Sequence, residues 1–216
     1  MKQLPKLLEN NKRWAERMNR EHPNFFKTLS VQQAPKYMWI GCADSRVPAN
    51  QIVDLLPGEV FVHRNVANVV VHSDFNCLSA LQFAVDILKV EHVMVVGHYG
   101  CGGVQAAMDN MKLGLVDNWV CHVRDVHERH KEYLSKIGQA GKRFDRLCEL
   151  NVLEQAMNVC RTTVLREAWR RGQEVTVHGW VYALRDGVIN DLGFCVGGEG
   201  EMPETFRASE DRIDIG

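Results

Sequence analysis

No stretch of this sequence is apolar for long enough to cross a bilayer, since no run approaches the ~20 residues a membrane helix needs. It also lacks an excess of either charge. Lys and Arg number 26 against 27 Asp and Glu, a net charge of -1, so nothing draws it to nucleic acid or an anionic membrane. The glycine-rich stretch Gly97–Gly103 is not followed by Gly-Lys-Ser/Thr, which excludes a phosphate-binding P-loop. A Gly-x-Ser-x-Gly elbow and a Cys-x-x-Cys pair are both missing, which removes the serine-hydrolase and thiol-exchange readings. A cysteine phosphatase would place Arg46 around a phosphate at Cys42, but Asp44 between them repels that anion. With no repeat, low-complexity block or Ser/Gly linker, residues 1–216 read as one domain. The charged, amphipathic N-terminus lacks a signal peptide's apolar stretch. The cysteines are odd in number, 7, and scattered, as free thiols are in a reducing compartment, so the cytoplasm is expected.

What is present is ordinary globular material. Leu4, Leu7, Leu8, Ala15 and Met18 recur near helical spacing and predict an N-terminal helical arm over residues 1–30. Short apolar runs predict strands at Lys36–Cys42, Glu59–Arg64, Glu91–Gly97 and Glu174–Tyr182. Leu78, Leu81, Val85 and Leu88 form a helical face capped by Ser73 or Asp74. Leu153, Met157, Cys160, Val164 and Ala168 predict one helix ending at Gly172. Asp186-Gly187 reads as a hairpin turn into an antiparallel edge strand over 188–193. The expected fold is α/β: a mostly parallel β-sheet with helices on both faces and an antiparallel edge strand. Residues 197–216, with six acidic and two basic residues, read as an extended or mobile tail.

Sites in such sheets form beyond the carboxyl ends of the strands, and two of these ends are unusual. The first reads Gly41-Cys42-Ala43-Asp44-Ser45-Arg46; if the strand persists through Asp44, Cys42 and Asp44 share a side. The third reads Gly97-His98-Tyr99-Gly100-Cys101, which lets His98 and Cys101 point at one ion. Two thiolates, an imidazole and a carboxylate suit zinc better than Mg²⁺ or Ca²⁺. Cys77, Cys121, Cys148, Cys160 and Cys195 have no such neighbours and read as core thiols. The remaining histidines read as surface or core.

Cys42-Ala-Asp-Ser-Arg46, Pro57-Gly-Glu-Val-Phe-Val-His-Arg-Asn-Val-Ala-Asn68 and Gly97-His-Tyr-Gly-Cys-Gly-Gly103 resemble, in order and spacing, the signatures of the β-class carbonic anhydrases. The likeness runs from the first helix to about Leu192. It implies an enzyme with one Zn²⁺ per chain that interconverts carbon dioxide and bicarbonate, a homodimer at least, with a homotetramer expected. Asp44 is the hard oxygen donor among four candidate ligands, and releasing it leaves a neutral shell with one open position. Arg46 can then take the carboxylate in a bidentate pair, while Asp44 orients zinc-bound hydroxide.

The resemblance assigns further roles. Phe61, Val66 and Phe83 of the partner subunit align with an apolar carbon dioxide pocket, although their spacing alone reads as core. Trp39, Arg64 and Tyr182 match residues by which the bacterial bicarbonate-regulated (type II) kind binds bicarbonate away from zinc and holds an inactive form. Two alternatives stand beside this reading: a zinc hydrolase of the same fold acting on carbon disulfide, and a zinc-stabilised module without catalysis.

Overall fold

The computed structural model describes residues 4–31 and 33–202. The chain forms two units, which divide between Ala34 and Pro35. The first holds α1 (Pro5–Glu21) and α2 (Phe25–Leu29). Pro5 opens α1, where its missing N–H would have no helical partner anyway. Trp14 meets Phe26 edge to face at 5.5 Å, and Phe25 and Phe26 do the same at 5.1 Å. Leu4, Leu7 and Leu8 remain exposed.

In the second unit β1 (Tyr37–Cys42), β2 (Val60–Asn65), β3 (His92–His98), β4 (Thr176–Tyr182) and β5 (Ile189–Val196) form one sheet in the order β2-β1-β3-β4-β5. The first four strands are parallel and β5 pairs antiparallel with β4 at the edge, as the alternation of elements predicts. The connection from β1 to β2 carries α3 (Ala49–Ile52), and that from β2 to β3 carries α4 (Phe75–Gln82) and a π turn at Phe83–Ile87. From β3 to β4 the chain runs through α5 (Gly102–Met108), α6 (Val116–Arg129), α7 (Lys131–Ser135), α8 (Ala140–Arg161) and α9 (Thr163–Arg170). Asp74 caps α4, its Oδ1 accepting the Asn76 N–H at 3.1 Å.

The helix expected over 153–168 is two helices. Thr162 takes extended backbone (φ -64°, ψ 149°), and its Oγ1 accepts the Leu165 N–H, ending α8 and capping α9. Toward its N-terminus α8 also reaches well past the predicted start. Arg146, Glu149 and Asn151 are buried polar residues there, and they interrupt the apolar period that marks a helix in sequence.

The strand period of two separates the faces. Met38 and Ile40 join Val93, Val95 and Val177 in the core beneath α4, α8 and α9. Trp39, Met94 and Val96 pack on the opposite face with Val47 and Ala49. Helices therefore do not cover both faces evenly within this unit: Tyr37, His92, His178 and Trp180 stay half-buried. Gly197–Met202 of the expected tail forms a short turn in which Glu199 pairs with Arg166 at 2.7 Å; residues 203–216 lie outside the described residues.

Strand order reverses between β1 and β3. In an open parallel sheet that switch leaves a crevice at the strands' carboxyl ends, where Cys42 and His98 stand.

Candidate metal centre

Cys42 ends β1, His98 ends β3, and Cys101 precedes α5. All three are buried, and their donor atoms lie within 4.8 Å of one another. The two sulfurs are 3.8 Å apart. Two thiolates on a tetrahedral zinc at ~2.3 Å would be separated by about 3.8 Å. His98 Nδ1 is 3.0 Å from the Tyr99 carbonyl. A carbonyl only accepts, so Nδ1 carries the proton and Nε2 keeps its lone pair. That Nε2 is buried without a hydrogen-bond partner, a cost normally avoided unless an ion takes the lone pair. Donor chemistry, sulfur spacing and the orphaned nitrogen all fit a zinc ion.

The thiols are electrostatically distinct. A hydrogen bond from the Cys101 thiol lowers Cys42 well below the usual thiol range against the opposing effect of burial, with backbone bonds at Asp44 and Ala67 adding to it. Cys101 is pushed up in return by the same bond and by burial. Burial above all raises Cys77, Cys148 and Cys160 to about 12, with Asp74 adding at Cys77 and Asp145 and Glu149 at Cys148, the behaviour of inert core thiols. Cys121 and Cys195 depart from the core expectation: the first is half-buried and the second exposed.

Asp44 is not in strand register, because β1 stops at Cys42. Its place is set by two arginines. Arg46 Nε donates to Oδ1 at 2.9 Å, Nη2 to Oδ2 at 2.6 Å, and the Arg46 backbone N–H to Oδ1 at 2.9 Å. This fork holds the Asp44 carboxyl well below the usual carboxylate range. Arg64 Nε donates to the Cys42 carbonyl at 2.9 Å, and its Nη2 donates to the Asp44 carbonyl. Asp44 Oδ2 lies 3.7 Å from His98 Nε2, beyond the ~3.3 Å between oxygen and nitrogen ligands on one tetrahedral zinc. The structure thus gathers three of the four expected ligands and gives the fourth to Arg46.

Behind the sulfurs runs a strained loop. Ala67 (φ 62°) and Asn68 (φ 46°) are consecutive left-handed residues. Asn151 Nδ2 donates to the Ala67 carbonyl at 2.9 Å and Trp119 Nε1 to the Val66 carbonyl at 2.8 Å, fixing that shape. Gly103 is required opposite, since a Cβ there would meet Val66 Cγ1 at 2.8 Å.

Of the expected pocket residues, Val66 lies beside the site against Gly103. Phe61 and Phe83 stack on each other within one chain, with ring centroids 5.9 Å apart. Register puts Trp39 and Arg64 on the same face, because Gly41 pairs with Arg64 and Trp39 with Met94. Met94 leads along β3 to His98, which pairs with Tyr182 on that face. Trp39 Nε1 is buried and unpartnered, and it overlies Gly41 so closely that a Cβ there would sit 2.1 Å away. The sequence does not reveal two of these supports, the Asn151 and Trp119 bonds to the loop, because each acts on a carbonyl far along the chain.

His63, Asp74 and Cys77 form a second convergent group. Two of its donors are engaged: Asp74 caps α4, and His63 Nε2 faces Asn65 Nδ2 at 3.3 Å.

The sequence matches the carbonic anhydrase family over residues 37–189. A carbonic anhydrase of Emericella nidulans is 46% identical over 187 residues, 87% of this chain and 82% of that one. The structure of a Coccomyxa β-carbonic anhydrase in complex with acetazolamide superposes with a TM-score of 0.87 at 39% identity, covering 92% of this chain and 90% of the other.

This chain belongs to the β-class carbonic anhydrases.

A tetrameric β-carbonic anhydrase of Sordaria macrospora is also similar, with a TM-score of 0.84 and 36% identity over 89% of this chain and 98% of that one. As a carbonic anhydrase the chain is an enzyme, so the reading of a module without catalysis falls.

Proposed function

We propose that this β-carbonic anhydrase hydrates carbon dioxide reversibly with one zinc ion held by Cys42, His98 and Cys101. The observation that carries the reading is the 3.8 Å sulfur pair beside an orphaned imidazole nitrogen. A bound zinc ion supplies a nucleophile at neutral pH, because coordination lowers the pKa of water from ~15.7 to about 7. The protein groups do the rest. Arg46 keeps Asp44 ionised and turned to one side, so its carboxylate accepts a hydrogen bond from the attacking water and aims an oxygen lone pair at carbon dioxide. Val66, beside Gly103, with Phe61 and Phe83 of the partner subunit supplies apolar surface for an uncharged substrate. Cobalt(II) substitution tests the ligand set: thiolate-to-cobalt absorption should appear in the native protein and weaken in Cys42→Ser and Cys101→Ser. A cobalt spectrum free of sulfur bands would refute it.

The enzyme is of the bicarbonate-regulated kind. The unpartnered Trp39 Nε1 on the face shared with Arg64 and Tyr182 supports this, because it is a buried donor in want of an acceptor. An anion bound there competes for Arg64, which otherwise holds the carbonyls of Cys42 and Asp44. Once released, Asp44 can swing from Arg46 toward His98 and close the fourth position. The assembly is a homodimer at least and a homotetramer in the fullest form, an arrangement that would cover exposed Leu4, Leu7, Leu8, Phe75 and Ile87. Seven free cysteines suit a reducing compartment such as the cytoplasm.

A further inference from the structure

The turn carrying His98 and Cys101 is tied to α8 at two points: the Cys148 thiol meets the backbone of Gly100 and Cys101, and Tyr99 reaches a carboxylate. Tyr99 Oη donates to Glu149 Oε1 at 2.7 Å. Glu149 Oε2 accepts from Arg146 Nη1 at 2.8 Å, and Arg146 Nε donates to Tyr133 Oη at 3.1 Å with the guanidinium over the same ring at 5.3 Å. Arg146 is 2% exposed and Glu149 8%. A buried carboxylate satisfied from both sides sits where its helix places it, so the phenol is aimed by α8.

The phenol also meets the Asn190 side chain, the ring packs against the core, and two further bonds of Tyr99 are backbone. Its N–H donates to the Tyr182 carbonyl at 3.1 Å, and its carbonyl accepts from His98 Nδ1 at 3.0 Å. Gly100 follows at φ 71° with no atom within 4 Å of where a Cβ would be, a left-handed position that glycine takes without strain. A cleft of about 540 Å³ lined by Tyr99, Gly100, Arg146 and Glu149 opens beside the bond. Freed from Glu149, the turn has space to move into.

We infer that Tyr99 and Glu149 are positioning residues for the metal-binding turn. Through this bond, beside the Cys148 contact, α8 sets the tilt of the His98 ring and the reach of Cys101 toward Cys42. The inference rests on the zinc reading and names groups outside the ligand set. Partners of this kind typically change metal affinity ~10–100-fold when removed.

The test is zinc release to an excess of a chromogenic chelator, from zinc-loaded wild type and the variants Tyr99→Phe, Glu149→Ala, Glu149→Gln and Tyr133→Phe. Tyr99→Phe and Glu149→Ala should release zinc ~10–100-fold faster than wild type. Glu149→Gln, which keeps an acceptor for the phenol, should fall between them and wild type. Tyr133→Phe removes a bond at the far end of the chain of contacts and should release at the wild-type rate. If Tyr99→Phe does not fold, Glu149→Ala against Glu149→Gln decides. Unchanged release from Tyr99→Phe and Glu149→Ala, or equally fast release from Tyr133→Phe, would overturn the positioning role alone. A wild type that holds no zinc would overturn the zinc reading as well.

Discussion

Arg46 grips the Asp44 carboxylate with two prongs, at 2.9 and 2.6 Å, while the nearest imidazole nitrogen stands 3.7 Å from the same group. The carboxylate is therefore beside the three donors and withheld from them. A structural metal site would have no use for such a clamp, whereas a catalytic site must keep one position open.

Removing the clamp should stop turnover while leaving the metal in place. Arg46→Ala is expected to lower carbon dioxide hydration by ~10²–10⁴-fold, the range for a lost, positioned acid–base partner, with wild-type zinc content. Stopped-flow hydration beside metal analysis checks both halves. Near-native turnover would remove Arg46 from the mechanism.

Trp39→Phe keeps an aromatic side chain at this position and removes the unpartnered Nε1 donor. Under the regulatory reading, inhibition by bicarbonate should weaken and the rise of activity with pH should flatten. Hydration rates across mildly acid to alkaline pH, with and without added bicarbonate, decide this. A variant as sensitive to bicarbonate as wild type leaves Trp39 a core residue.

Much of this arrangement is legible in the sequence. The Gly41–Arg46 and Gly97–Gly103 segments each put unlike ligand types at a strand end, and the mostly parallel sheet follows from the alternation of strands with helical segments. What is hidden is long-range. Arg64 holding backbone carbonyls 20 and 22 residues away, and Asn151 holding Ala67 across 84 residues, depend on register and packing that leave no local pattern. The same holds for α8, whose buried polar residues erase the apolar stripe by which a helix is recognised.

His178 should make stability depend on pH. Burial holds its pKa below the usual histidine value, and His92, with Nδ1 at 3.1 Å, adds to that while Asp191 opposes it. The unfolded chain then binds a proton that the folded one refuses. Stability is full above the unfolded pKa of ~6.5 and declines as pH falls toward the depressed folded value. Urea unfolding at pH 7.5 and 5.5 should show this loss, and His178→Gln should reduce it. An identical loss in the variant would place the pH sensitivity elsewhere.

Thr162 ends one helix and starts the next, so Thr162→Ala should cost about 1 kcal/mol in denaturant unfolding through the lost cap. Zinc content should not change, because the cap lies at the α8–α9 junction, remote in the chain from the ligands. A stability equal to wild type would mean that the break is set by packing alone.

The most direct measurement is metal content per chain in protein purified without chelators, paired with its rate of carbon dioxide hydration before and after metal removal. One zinc per chain is predicted, with activity lost on chelation and restored by zinc. Protein that is folded and fully active without a bound transition metal would contradict the role given to Cys42, His98 and Cys101.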